Sequence, residues 1–309
     1  MFLGVDIGGT FTDLVLLDDK GELTTTKALS TPGELEVGVF NAIKNAAEQH
    51  GMTGEELLAK VTAFGHGTTQ ATNAVIERDG ARTGLLATAG FGDTLAIQRL
   101  MGFTAGVPVD RLGWYSRRRY PEPIVPRGLV REVRERVDHA GKVLTPLDQA
   151  GLRKAVKELI DAEVETFAVA FLWSFRNPEH ERVAGRVIRE MAPKAYVSLS
   201  SEVAPVIGEY ERTATAALNS YLAPKVVSYL DGIEQMLRKR GFKGAFSILN
   251  SAGGVMPVAE AARRPVTLVT SGPTGGVMGS VHLAKRMGYK NLITTDMGGT
   301  SFEDRKSVV

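Results

Sequence analysis

Asp6-Ile7-Gly8-Gly9-Thr10-Phe11-Thr12-Asp13 stands between two apolar runs, Phe2 to Val5 and Leu14 to Leu17. An acid at the end of a strand, followed by Gly-Gly and hydroxyl residues, predicts a tight turn with uncovered backbone N–H groups. Glycine permits the positive φ angles and the close approach that a phosphate requires. The second apolar run makes the turn a strand-to-strand hairpin. A Walker-type loop instead runs from strand to helix and ends in Gly-Lys-Ser/Thr, an ending this chain lacks. A related string, Asp296-Met297-Gly298-Gly299-Thr300-Ser301, follows the apolar run Leu292 to Thr294. One copy is compatible with a plain hairpin turn. Two copies with the same Asp and Thr predict two jaws of a nucleotide clamp. On that reading Gly8, Gly9, Thr10, Thr12 and Asp13 serve phosphates on one side, and Gly298, Gly299 and Thr300 face them. Asp6 and Asp296 hold Mg²⁺, directly or through water.

Working outward, strand-like runs alternate with helical patterns, the signature of an α/β sheet. Leu3 to Ile7, Asp13 to Leu17 and Leu23 to Leu29 read as a three-strand meander. Glu34 to His50 is helical, with Leu35, Val39, Ala42, Ile43 and Ala46 on one face. Strand Val61 to Phe64, helix Thr69 to Arg78 and strand Thr83 to Thr88 follow. Leu129 to Val143 reads as a hairpin, and Leu147 to Ala162 as a helix. Then come strand Thr166 to Trp173, helix Pro178 to Met191 and strand Tyr196 to Ser200. A long helix runs from Glu209 to Arg240, with Pro224 as a break point. Phe246 to Leu249 and Val266 to Thr270 read as strands, the second leading into a helix to Met287.

Composition bounds the function classes. The chain has 309 residues, 43% of them hydrophobic, and a formal net charge of +2. That supplies ample core for two compact units and no argument for nucleic acid. Arg117-Arg118-Arg119 reads as a solvated loop. The absence of cysteine excludes disulfides, a thiol nucleophile and Cys-ligated zinc. No signal peptide and no apolar run of membrane length is legible, so a cytoplasmic location is expected.

Three further constellations bear on chemistry. Gly65-His66-Gly67-Thr68-Thr69 sits at a strand end and opens a helix, a setting that favours an anion. Thr68 or Thr69 caps that helix, and His66 is the candidate substrate-side catalytic residue beside Asp6 and Asp296. Ser271-Gly272-Pro273-Thr274-Gly275-Gly276 has the same strand, glycine turn and helix form. It either borders the phosphate site or packs closely through Gly275, Gly276 and Gly279. Arg212, near the start of the long helix, either contacts an anion or forms a surface salt bridge with Glu209 or Glu211.

These strings together resemble the hydantoinase A/5-oxoprolinase family, within the superfamily of ATPases that holds actin, hexokinase and the heat-shock chaperone ATPases. Phe11-Thr12-Asp13 separates the chain from sugar kinases, which share only Asp-x-Gly-Gly-Thr. The resemblance implies a ribonuclease-H-like, actin-like ATPase lobe with inserted α/β segments, followed by only the first strand-turn of a second lobe. It implies ATP and Mg²⁺ as cofactors, and phosphorylation of a cyclic amide of the hydantoin or 5-oxoproline type. A subunit of an acetone or acetophenone carboxylase, acting on a ketone, is the alternative, and a kinase of the superfamily is a second. A hydantoinase B-type partner subunit and a hetero-oligomer are implied, with no nucleic acid or membrane partner.

The same resemblance divides the chain at 1–205 for the N-terminal lobe with its insertion and 206–303 for the start of the second domain. Glu303 stands where the family carries aspartate. Residues 304–309 can be encoded by GATCGGAAGAGCGTCGTG, part of a common short-read sequencing adapter. They are therefore expected to be a non-native tail, with Asn291 to Asp296 lacking its native sheet partners and left as a poorly supported edge strand of low local stability.

Overall fold

The structure is a computed structural model that describes residues 1–31, 33–99, 107–114, 122–297 and the backbone of 302–308. It divides into two compact units, one of residues 1–77 with 225–309 and one of residues 78–224. Gly298, Gly299 and Thr300, and the cluster Arg117-Arg118-Arg119, lie outside the described residues.

Phe2–Ile7 (β1), Phe11–Leu17 (β2) and Leu23–Leu29 (β3) form the expected meander. Alternate residues of β1 and β2 are buried, so Leu3, Val5, Ile7, Leu14 and Leu16 share one face. Leu35–Gln49 (α1) buries Val39, Phe40, Ile43, Ala46 and Ala47. Gly54–Lys60 (α2) opens with a capping box between Thr53 and Glu56, an element absent from the sequence expectations. Ala63–Thr68 (β4) runs through Gly65-His66-Gly67 as strand, and Gln70–Glu77 (α3) follows.

In the 78–224 unit come Thr83–Thr88 (β5), Thr94–Ile97 (α4), Val130–Val133 (β6), Arg136–Val137 (β7) and Val143–Thr145 (β8). Next are Gln149–Asp161 (α5), Thr166–Ala170 (β9), Glu179–Met191 (α6), Tyr196–Leu199 (β10) and Ser200–Val203 (α7). The hairpin expected over Leu129 to Val143 forms only between β7 and β8, because β6 joins β5 in parallel instead. The sheet order is β10-β9-β5-β6, parallel throughout. Its central strands are buried on both faces, as parallel sheets require.

Glu209–Lys239 (α8) runs unbroken through Pro224, where the division between units falls. Ala245–Leu249 (β11), Val255–Pro257 (β12), Val258–Arg263 (α9), Ser271–Met287 (α10), Asn291–Met297 (β13) and Phe302–Val308 (β14) complete the chain. Val266 to Thr270 is not a strand. Pro265–Leu268 forms a 3₁₀ turn, and Thr270 enters α10 with φ of 62°. The main sheet has the order β12-β11-β4-β1-β2-β3, with β4 parallel to β1 and β11 parallel to β4. Three antiparallel strands extended by parallel strands on the far side of β1 give the expected ribonuclease-H-like arrangement. Asn291 to Asp296, expected as a poorly supported edge strand, joins neither of the two larger sheets; among the described residues β13 pairs with β14 in an antiparallel ribbon, Asn291 opposite Val308.

Candidate functional site

Strand register places Gly67, Asp6, Asp13 and Lys27 side by side across β4, β1, β2 and β3. Period-2 alternation turns Asp6, Asp13 and Lys27 to the face opposite the buried Val5 and Leu14. Beyond this row lies the hairpin tip. Gly8 N–H donates to Phe11 O (2.9 Å), while Ser30 braces the turn, its hydroxyl donating to Gly8 O (2.8 Å) and its N–H to Thr10 O (3.0 Å). Gly9 and Thr10 form the exposed tip. Gly8 is not in the left-handed region. A Cβ there would sit 3.3 Å from Phe11 O, so close approach rather than positive φ favours glycine at this position.

Asp6 is the electrostatic centre. It keeps exposed surface, yet the protein packed around it desolvates its carboxyl enough to raise the pKa, and the charges of Asp13 and Asp296 raise it further. Like charges opposite each other on an antiparallel ladder repel. Asp13 is balanced by Lys27, whose Nζ lies 3.1 Å from Asp13 Oδ1 and 4.7 Å from the centre of the Phe11 ring. Among the described residues, no donor reaches the Asp6 carboxylate.

Two other elements border Asp6. A Cβ on Gly67 would lie 2.8 Å from Asp6 Oδ1, so the carboxylate rests over a bare Cα. A Cβ on Gly272, in the first turn of α10, would lie 4.0 Å from the same oxygen and 3.5 Å from the Thr69 methyl. No side chain caps α10. Its first-turn amides and dipole therefore carry positive potential beside the acids. Ser271 Oγ ties the helix start to Thr68 O at 3.2 Å. Of the other glycines in that string, a Cβ on Gly275 would come within 2.4 Å of the Leu249 side chain, whereas Gly276 and Gly279 face open space. Thr68 Oγ1 accepts from Gln70 N at 3.2 Å, and Asn73 Nδ2 donates to Thr69 Oγ1 at 3.3 Å.

Two residues read as site residues lie elsewhere. His66 is enclosed on the core face, opposite to Asp6. Its Nδ1 lies 3.1 Å from Val5 O and must donate there, so Nε2 accepts from the Tyr229 hydroxyl. Burial pushes its pKa down to about 4, leaving a neutral ring at pH 7. Thr12 is also fully buried, its hydroxyl 3.2 Å from Ser30 Oγ. Asp296 stands on β13, near enough to act on Asp6. Arg212 does not form the expected surface salt bridge. Only 2% exposed, it donates to Phe171 O (2.8 Å) and Ser200 Oγ (3.1 Å) within the other unit. Sequence reasoning missed Lys27, which reaches Asp13 through strand register, whereas Gly67 and Gly272 belong to the two glycine strings read as bordering an anion.

Among the described residues, no three acids or histidines gather closely enough to cage an ion. Asp6, with Asp13 and Asp296 at longer range, offers the sparse carboxylate setting in which Mg²⁺ keeps water and phosphate oxygens as its other ligands. Its donor set therefore fits Mg²⁺.

A profile described as the hydantoinase/oxoprolinase N-terminal region matches residues 2–192, and a second, hydantoinase/oxoprolinase, matches residues 212–304. The chain is 36% identical to the acetophenone carboxylase gamma subunit of Aromatoleum aromaticum, over 97% of its own length and 41% of that protein. It is 36% identical to the caprolactamase subunit alpha of Pseudomonas jessenii, over 97% of its own length and 42% of the relative. A nucleotide-free structure of acetone carboxylase matches with a TM-score of 0.92 at 32% identity, over 99% of this chain and 43% of that one. The ATP-dependent caprolactamase structure from Pseudomonas jessenii gives 0.85 at 36% identity, over the same shares of 99% and 43%. The chain spans under half the length of these relatives.

Proposed function

The chain belongs to the hydantoinase/oxoprolinase family, and from that premise we propose that it forms the first phosphate-binding jaw of an ATP-dependent enzyme that opens a cyclic amide of the hydantoin or 5-oxoproline type. In this reading the amide oxygen attacks the γ-phosphorus, forming a new P–O bond as the bridging P–O bond breaks and ADP leaves. Water adds to the activated carbon, and collapse breaks the ring C–N bond, the nitrogen taking a proton. A second water hydrolyses the resulting acyl phosphate.

In this reading the amides of Gly9 and Thr10, with the α10 start at Ser271 and Gly272, hold phosphate oxygens, supported by the exposed hairpin tip and the helix N-terminus. Asp6 and Asp296 would hold Mg²⁺, which when bound supplies neutralisation of phosphate charge. Asp13, paired with Lys27, sits beside them. Gly298, Gly299 and Thr300, outside the described residues, are proposed to serve phosphate as well. Thr12 and His66 serve from behind, fixing the hairpin and β1. The relatives are named as subunits, and we extend this to a hydantoinase B-type partner in a hetero-oligomer. No described helix is long and apolar enough to cross a membrane, and we assign the protein to the cytoplasm.

The observation that carries the reading is Asp6: an acid that no donor reaches among the described residues, repelled by Asp13 and Asp296, beside a glycine turn and a helix N-terminus. Its test is ATP turnover by the complete gene product. ADP release is expected only with a cyclic amide present, and Asp6→Asn is expected to lower it roughly 100- to 1,000-fold. The match to acetone carboxylase, with its TM-score of 0.92, supports a second reading as a carboxylase subunit. ADP release that requires a ketone and bicarbonate, and ignores cyclic amides, selects that alternative.

A further inference from the structure

We propose that Gly67 is a positioning residue for the Asp6 carboxylate, and that the Gly-His-Gly string is kept bare at this position to seat that acid. The inference rests on the reading of Asp6 as a phosphate- and metal-site residue. Gly65 and Gly67 lie on the same strand and the same face, facing Gly4 and Asp6 of β1 in register. Neither adopts a positive φ, so backbone conformation does not demand glycine at either position.

Their surroundings differ. A Cβ on Gly65 would meet only Leu3 O at 3.9 Å, an ordinary contact. A Cβ on Gly67 would lie 2.8 Å from Asp6 Oδ1, 3.6 Å from Cγ and 3.8 Å from Cβ. The first distance is shorter than van der Waals contact allows, and the atom that must yield is the tip of a flexible side chain. The strand can therefore accept alanine, while the carboxylate must swing off its seat. A Cβ built on Gly272 would lie 4.0 Å from the same oxygen, so the first turn of α10 also borders the carboxylate. His66, between the two glycines, points to the other face and anchors the strand through Val5 O and Tyr229, which keeps Gly67 from retreating.

The test compares Gly67→Ala, Gly65→Ala, Asp6→Asn, Asp6→Ala and the double variant Asp6→Ala/Gly67→Ala in the complete gene product. Displacing a charged group by about 1 Å costs roughly 100-fold in turnover. Gly67→Ala is expected to lose about that much in kcat, with unchanged thermal midpoint, while Gly65→Ala stays within about twofold of the parent. The double variant is expected to match Asp6→Ala, because the colliding atom is gone. A crystal structure of Gly67→Ala is expected to show Asp6 Oδ1 moved beyond contact with the new methyl. The proposal is overturned if Gly67→Ala keeps the parent kcat, if Gly65→Ala is equally damaging, or if Asp6 stays in place. If Asp6→Asn itself leaves turnover intact, the functional reading fails instead. The crystal structure then decides the seat alone.

Discussion

In the 78–224 unit, Glu181 is fully buried and accepts hydrogen bonds from Phe171 N (2.9 Å), Ser200 Oγ (2.6 Å), Ser201 N (2.8 Å) and Ser201 Oγ (2.6 Å). Arg212 adds a counter-charge through Ser200. Glu135 in the same unit is held by Thr88 and by His180 Nδ1 at 2.8 Å. In the other unit, no donor among the described residues reaches Asp6, and the charges of Asp13 and Asp296 act on it. Buried charge persists where partners satisfy it. Saturated acids in one unit mark architecture, while the proposed function gives the unsatisfied acid in the other a cation to complete its electrostatics. The saturated cluster is not inert to pH either, since burial pushes the Glu181 carboxyl up and its four donors oppose that.

The contrast breaks first at Glu181. Glu181→Ala strands Arg212 and four donors, and is expected to cost about 3–5 kcal/mol in denaturant-unfolding stability. A loss below about 1 kcal/mol would remove the architectural reading. Asp6→Asn should do the reverse: turnover falls roughly 100- to 1,000-fold, while stability stays level or rises because a repulsion is gone. An unfolding midpoint lowered along with activity would make Asp6 another structural acid.

His66 sharpens the comparison through pH. Its folded pKa of about 4 lies below the ordinary 6.5, so the unfolded chain takes up the proton first. Stability from this group is complete above pH 6.5 and falls toward pH 4, by roughly 3 kcal/mol in all. The raised pKa values of Asp6 and Glu181 act in the opposite direction, so the histidine is isolated by the difference between the pH profiles of the parent and His66→Asn. A flat difference contradicts its enclosure. The smallest effect belongs to Lys27→Met. Both partners of its pair are about half exposed, at 54% and 53%. Stability is expected to change by less than about 1 kcal/mol, and any larger effect should appear in turnover.

Much of this was legible beforehand because local pattern and fold agree. The meander and its turn follow from strict alternation in Phe2–Ile7 and Phe11–Leu17. Other parts depended on tertiary context. Val266 to Thr270 has the β-branched content of a strand, but it follows Pro265, which lacks an N–H, and closes a 3₁₀ turn instead. His66 between glycines reads as loop, yet β4 runs straight through it, with the glycines opposite β1 and the ring turned inward. Lys27 reaches Asp13 only through register across two strands. The Thr53–Glu56 capping box was present in the sequence and went unread.

The proposed role of Asp6 at a phosphate-bound cation makes its titration depend on Mg²⁺ and nucleotide. Carbon-13 NMR of aspartate-labelled protein, following the Asp6 carboxyl against pH with and without Mg²⁺ and ADP, tests it most directly. The account predicts a free-state pKa above the ordinary carboxylate range, falling well below it when Mg²⁺ and ADP are added together. An Asp6 titration unchanged by that addition would contradict the account.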